Sequence, residues 1–211
     1  IVLDVLERLA ADDGGVGAAA AALAAGYERA PGGRPTGTTH VSVLDGEGFA
    51  AALSSTLGSG SGVFRGGAQL NNMLGELDVI GEGPHAPGGR LPSMLAPTLV
   101  LEGGRPRLLL GSAGSVRLAG AIAQVACRVL AGEGVDEAVA APRLHVEGSL
   151  LHVEGGWPAA ALAEAAREWR LVRWSGRNLF FGGVQAVERR PDGTLAAAGD
   201  PRRGGAGLVV P

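Results

Sequence analysis

A chain of 211 residues fits one domain or the larger part of one, and its 46% hydrophobic content lets it bury about two-thirds of its unfolded surface, which argues against disorder. The formal charge of −3, from 18 basic and 21 acidic residues, gives no support to nucleic-acid binding, and the pairs Arg189-Arg190 and Arg202-Arg203 are too short to change that. One cysteine excludes an internal disulfide framework, and no apolar run reaches the roughly 18 residues that a membrane span needs.

In chain order, Val2, Val5, Leu6 and Leu9 form the stripe of an amphipathic helix, and Asp4, Glu7 and Arg8 exclude a signal-peptide core there. The chain opens on Ile rather than Met, so an upstream segment is expected. The alanine-rich stretch 16–29 reads as a second helix and 31–37 as a loop. From Thr38 the pattern becomes β-branched: 39–45, the turn Asp45-Gly46-Glu47-Gly48, then 49–57 read as a hairpin. Pairing Leu44 with Phe49 places Ser55 or Thr56 beside Thr38. Loops follow at 58–67 and 81–92, around an ambiguous segment at 69–80. Residues 97–101 and 106–110 read as a second hairpin about Glu102-Gly103-Gly104. It runs through Gly111-Ser112-Ala113-Gly114-Ser115 into a helical stripe at Leu118, Ala121, Ile122, Val125, Ala126 and Val129, which Gly132 stops. A short helix is expected at 135–140, strands at the two HVEG echoes (145–148 and 152–155), and a helix from Pro158 to Trp169 with proline at its first position. The end reads as strands: 171–174, the run 178–190, the turn 191–193, and 194–200. Hairpins interleaved with helices predict antiparallel sheet layers covered by helices, rather than the βαβ alternation of a parallel sheet.

Thr38 is the first candidate for chemistry. A threonine whose own backbone amine is free can be nucleophile and base together, but that amine exists only once the Gly37–Thr38 bond is cut. Taken by itself, Thr38 reads as an ordinary strand residue. The Gly111–Ser115 turn can form a nest of N–H groups at a helix start. It lacks the Gly-Lys of a phosphate loop, and Leu110 stands where a serine-hydrolase elbow needs glycine. His40, His85, His145 and His152 show no metal-ligand spacing with carboxylates or Cys127, so no metal or other cofactor is expected. Cys127 reads as inert, Arg65 as a surface arginine, Arg143 as structural, and Trp157, Trp169 and Trp174 as scattered.

Thr38-Thr39-His40-Val41-Ser42-Val43 with Asp45 resembles the opening of the small subunit in the gamma-glutamyltransferase (transpeptidase) family. The likeness continues through LSSTL (53–57), LNNM (70–73), RLPSMLAPTLVL (90–101), GSAG (111–114), APRLH (141–145) and DP (200–201). It implies an α+β fold, the N-terminal-nucleophile hydrolase αββα sandwich, incomplete without a large subunit. It also implies that 1–37 is the tail of the large-subunit region and 38–211 the nucleophile-bearing domain. By resemblance, Thr38 is the nucleophile freed by self-cleavage, Thr56 hydrogen-bonds near it, and the Gly114 and Ser115 amides form the oxyanion hole. The family usually has glycine at the second of these two positions, so the hole requires Ser115 to take glycine-like backbone angles.

The departures fall where the family reads its glutamyl group. Gly58 replaces an asparagine in a shortened loop, Met73 a glutamine, and Pro92 the first of two serines, leaving Ser93. Glu76 aligns with the aspartate that holds the donor's α-amino group. The expected activity is that of an autoprocessing threonine amidohydrolase or acyltransferase on gamma-glutamyl or related acyl amides, with water or an amino acid as acceptor. The upstream large-subunit polypeptide is the expected partner. The competing expectation is a non-catalytic remnant of such an enzyme.

Overall fold

The computed structural model describes residues 17, 19–21, 37–81 and 83–210. The amphipathic stripe at 2–9 lies outside the described residues; of the stretch 16–29, residues 17 and 19–21 are described, and they are helical.

Strands β1 (Thr38–Leu44) and β2 (Ala50–Thr56) form the first hairpin. The Asp45 carboxylate accepts the Gly48 and Phe49 amides at 2.8 Å each, an aspartate turn that closes the loop. Leu44 pairs with Ala50 rather than Phe49, so Thr38 faces Thr56, the later of the two residues that sequence reasoning left open. A minimal ladder of β3 (Phe64–Arg65) and β4 (Ala68–Gln69) follows, then a 3-10 turn at Met73–Gly75 and the short helix α1 (Leu77–Ile80).

Strands β5 (Thr98–Glu102) and β6 (Arg105–Ala113) meet through Gly103-Gly104, whose φ values of 55° and 79° fit the primed turns that match strand twist. After a 3-10 turn at Ser115–Arg117 come α2 (Leu118–Leu130) and α3 (Val135–Ala140). Every residue of the predicted stripe in α2 is buried. Gly132, at φ 102°, donates to Val129 O just beyond the helix end.

Strands β7 (Leu144–Glu147) and β8 (Leu150–Val153) pair antiparallel, His145 opposite His152, so the HVEG echo is two neighbouring strands. Helix α4 (Ala159–Ala165) then leads to β9 (Arg170–Arg173), which pairs parallel with β8. This corrects the expectation of antiparallel layers alone: the connection through α4 is long enough for a crossover, and a parallel neighbour requires one. Pro158 caps α4 instead of opening its first turn. The run at 178–190 also divides, into a 3-10 turn at Leu179–Phe181 and β10 (Gly183–Arg189). Strand β11 (Leu195–Gly199) and a 3-10 turn at Pro201–Arg203 complete the order.

The main sheet runs β11-β10-β6-β5. Residues Leu108–Ala113 of β6 are buried throughout, as a strand covered on both faces must be. Leu108 and Leu110 pack with Ile122, Val125, Val129, Val135 and Val139 of α2 and α3. The opposite pleat of β6 faces the β1–β2 hairpin. The order is therefore helix, sheet, sheet. The outer side of the hairpin leaves Val41, Val43 and Leu53 exposed.

Four buried charges join the ends of the β7–β8 pair to the segment after β11 of the main sheet. Arg143 Nη2 meets Asp200 Oδ2 at 2.6 Å, and Arg202 reaches Glu154 through Nε at 2.8 Å and Nη2 at 2.5 Å. Arg202 Nη1 also meets Asp200 Oδ1 at 3.2 Å, so two cations balance two anions. Burial lowers Arg143 to about 10 against the pull of Asp200. Burial would raise the Asp200 carboxyl, but Arg143 and the Val184 and Arg202 amides outweigh it and hold it below its usual value. Arg143 thus has the structural setting that its sequence motif suggested.

Candidate active site

The hairpin register builds the site from β1 and β2. Thr38 Oγ1 donates to Thr56 Oγ1 at 3.1 Å, and Thr56 Oγ1 donates to the Gly37 carbonyl at 3.1 Å. The Gly58 amide donates to the same Thr56 oxygen at 3.1 Å. The Gly37 carbonyl accepts a second bond, from the Leu57 amide at 3.2 Å, while the Gly37 amide donates to Gly58 O at 2.8 Å. The peptide carbonyl before Thr38 is therefore held by two donors, next to the Thr38 hydroxyl.

Beneath this cluster lies His40, two residues along β1 on the same face. Its Nδ1 and Nε2 lie 2.8 Å from Ser54 Oγ and Ser42 Oγ. Burial pushes its pKa down, which favours a neutral ring braced between two hydroxyls. The ring presses on Gly111 of β6 so closely that any side chain there would overlap it. The next residue on that pleat, Ala113, shares with Thr38 a cavity of about 470 Å³ that Gln185 and Arg203 also line.

Gly114 and Ser115 follow directly after Ala113. Their amides begin the 3-10 turn, where N–H groups have no acceptor within the helix. Ser115 adopts φ 56°, the left-handed region that glycine enters freely, so the serine does take a glycine-like backbone angle. The cost is roughly 1–2 kcal/mol.

On the other side of Thr38, a narrow cleft is lined by Thr38, Thr56, Gly58, Met73, Glu76, Ser93, Met94 and Leu95. Glu76 and Ser93 thus share a wall space with the two threonines, while Gly114 and Ser115 lie outside its lining. The free volume is about 20 Å³, room for little more than one water. Glu76 Oε1 accepts the Ser59 amide at 2.8 Å and the Ser59 hydroxyl at 2.6 Å, which ties it across the cleft mouth. Gly58 makes that tie possible, because a side chain there would strike Asn72 and Glu76.

Ser59 and the Leu57 amide were not singled out from the sequence. The amide follows from the hairpin register once residue 56 is fixed opposite 38. Ser59 carried only a weak signal, its place after the shortened loop's Gly58. Among the other candidates, burial raises the Cys127 thiol above its usual value, in keeping with an inert residue. Arg65 is exposed. Trp174 is less isolated than its sequence position suggested: it stacks on Phe180 at 4.7 Å, and Phe180 lies 4.7 Å from the His152 ring.

Residues 17–210 match the family model described as gamma-glutamyltranspeptidase. An Acylase ACY 1 proenzyme of Pseudomonas sp. (strain SE83) is 32% identical over 190 residues, covering 85% of this chain and 33% of the relative. A glutathione hydrolase proenzyme of Escherichia coli (strain K12) is 31% identical over 188 residues, covering 78% and 31%. The chain thus spans about a third of the length of these curated relatives. Among solved structures, gamma-glutamyltranspeptidase from Pseudomonas nitroreducens complexed with L-DON superposes with a TM-score of 0.66 at 29% identity, covering 82% of this chain and all of that one. The Bacillus anthracis transpeptidase CapD gives 0.62 at 25% identity, covering 80% and 97%. The fold is therefore the α+β sandwich of N-terminal-nucleophile hydrolases.

Proposed function

Because the chain belongs to the gamma-glutamyltranspeptidase family, we propose that it carries the nucleophile of a threonine amidohydrolase or acyltransferase, and that Thr38 is that nucleophile. The observation that carries this reading is the Thr38–Thr56 hydroxyl pair at 3.1 Å beside the doubly held Gly37 carbonyl. Addition of Thr38 Oγ1 to that carbonyl would put negative charge on an oxygen already facing the Thr56 hydroxyl and the Leu57 amide. Collapse breaks the Gly37–Thr38 C–N bond, the freed Thr38 amine leaving with the hydroxyl's proton, and the ester left on Oγ1 is hydrolysed by water to the Gly37 carboxylate and the Thr38 hydroxyl. That amine then takes the hydroxyl proton as Thr38 attacks a substrate amide. The substrate amine leaves with a proton, and the acyl-enzyme ester passes to water or to an amino-acid acceptor. In this second reaction the Gly114 and Ser115 amides receive the oxyanion. The cut also divides the chain at 37/38, with the upstream large-subunit polypeptide covering the exposed hairpin face of Val41, Val43 and Leu53.

The donor reading departs from gamma-glutamyl. Glu76 is engaged by Ser59 instead of being open to an ammonium, Met73 is apolar, and a single serine, Ser93, remains on the wall. These features favour an acyl group without an α-ammonium, such as glutaryl. Intact-mass measurement on the complete protein tests the core of the reading. A species beginning at Thr38, absent in Thr38→Ala, is expected; an uncut protein inert toward gamma-glutamyl and glutaryl anilides would make it a non-catalytic remnant. A large preference for the gamma-glutamyl anilide would sink the donor assignment alone.

A further inference from the structure

The amides of Gly114 and Ser115 can hold an oxyanion only if their turn is fixed, and the turn's own backbone bonds, from the Arg117 amide to Gly114 O at 3.2 Å and from the Leu118 amide to Ser115 O, do not fix its placement against the sheet. Gly114 has φ 148° and Ser115 φ 56°. The constraint comes from the segment between Leu179–Phe181 and β10. A methyl group placed on Gly114 would lie 2.7 Å from the Gly182 Cα, so the two backbones touch. A methyl group on Gly182, itself at φ 76°, would lie 3.0 Å from Ala113 O and 3.3 Å from Ser112 Oγ. Gly183 and Val184 pair in register with Ala113 and Ser112. Residues 182–184 thus form the bed on which 112–115 lies.

That bed is held from behind by buried charge. Arg143 Nη1 donates to Phe181 O at 3.2 Å and Gly182 O at 3.4 Å. Its Nη2 pairs with Asp200 Oδ2 at 2.6 Å, and the same carboxylate oxygen accepts the Val184 amide at 2.9 Å. The Arg143–Asp200 pair therefore grips the segment on both sides of Gly182, away from the reacting atoms. A buried, hydrogen-bonded ion pair has few alternative geometries, so it gives stiffness where a loop alone would not.

We propose that Gly182 is a positioning residue for the reaction: fixed by Arg143 and Asp200, it sets the Gly114–Ser115 turn at the angle that aims both amides at the oxyanion. This rests on the functional reading above. It predicts that disturbing Gly182 weakens binding of a tetrahedral anion at Thr38 while sparing binding of the acyl group itself.

The experiment uses the complete protein with 4-boronobutanoic acid, whose boron forms a tetrahedral anion with a threonine hydroxyl, and glutarate as the planar comparison. Gly182→Ala is expected to lower kcat and boronate affinity about tenfold to hundredfold, short of or equal to the loss of one oxyanion donor, with KM and glutarate affinity within about threefold. Arg143→Lys keeps a cation for Asp200 but loses the guanidinium fork to Phe181 O and Gly182 O; it is expected to show the same split at about threefold to tenfold. Boronate affinity unchanged in both variants, or falling in step with glutarate affinity, overturns the inference. So does failure of both variants to fold, which would make the contact a determinant of folding only. A wild-type protein that binds no boronate and hydrolyses neither anilide overturns the functional reading, and this one with it.

Discussion

The two walls that flank Thr38 are built differently. One is a ladder: β1 against β2, His40 pressed on Gly111, and β6 buried on both faces behind them. The other is a set of loops from Gly58 to Leu95, where the short elements β3, β4 and α1 give little regular hydrogen bonding and Glu76 is held by a single serine. In a ladder, moving one residue disturbs every pair. A loop can exchange one contact for another. The proposed chemistry therefore sits on the wall that resists change, and donor recognition on the wall that tolerates it.

The largest effect that would break this contrast is at Thr56. Its hydroxyl touches Thr38 Oγ1, Gly37 O and Gly58 N, so Thr56→Ala should slow both Gly37–Thr38 cleavage and anilide turnover by about 10²–10³-fold. Thr56→Ser keeps the hydroxyl and should restore most of the rate. Time-resolved intact mass and kcat on the complete protein measure both. Loss of less than about threefold in Thr56→Ala would mean that the ladder wall does not carry the reaction.

The same wall was the most legible part of the sequence, and the reason is physical. A β-branched run, an Asp-Gly turn and a second apolar run fix a hairpin to within one residue, and one residue separates Ser55 from Thr56 as the neighbour of Thr38. The helix stripe of α2 was legible for the same reason, its period. The loop wall has no period, so Glu76 and Ser93 came from the family resemblance, and Ser59 was not seen at all. Nor was the charge quartet. Arg143 meets Asp200 across 57 positions and Arg202 meets Glu154 across 48, separations that no local pattern reports. The parallel strand β9 was hidden because a single βα crossover among hairpins leaves only the length of its connection as a signal.

A second test sharpens how tightly the ladder wall is packed. Gly111→Ala sets a methyl group against the His40 ring, and overpacking of this kind costs about 1–3 kcal/mol. The variant should melt earlier, by about 2–4 °C for each kcal/mol in a protein of this size. The ring's tie to Ser54 and Ser42 should loosen with it, seen as faster amide exchange along β1. An unchanged melting temperature would show that β1 and β6 can part without penalty.

On the loop wall the expected effect is smaller and specific to substrate. Ser59→Ala removes the hydroxyl that holds Glu76 Oε1 and leaves one amide bond, so the carboxylate can swing toward an incoming ammonium. KM for the gamma-glutamyl anilide should fall by about tenfold, equivalent to about 1.4 kcal/mol, while kcat and the glutaryl anilide's KM hold. Equal changes for both donors would show that Ser59 shapes the cleft and not its charge.

The smallest effect comes from acid, and it falls away from both walls. Burial, with help from Arg117 and His152, pushes His145 down to about 3, so the folded protein keeps this ring neutral where the unfolded chain, at about 6.5, takes up a proton. The unfolded state then binds more protons below pH 6.5, and stability must fall as pH falls through that window. Between pH 7 and pH 5.5 His145 alone should cost about 1.3 kcal/mol, read from denaturant midpoints at the two values. His40 and His152 shift in the same direction, chiefly through burial, and add to the loss. Replacing His145 with Gln removes one titrating group and should flatten the pH dependence by about that amount, with turnover per folded molecule unaffected. If the slope persists in that variant, the acid sensitivity resides in His152 and His40, and a further His152→Gln replacement that leaves it in place would assign it to the histidine beneath Thr38, around which the contrast between a rigid reaction wall and the rest of the molecule would have to be redrawn.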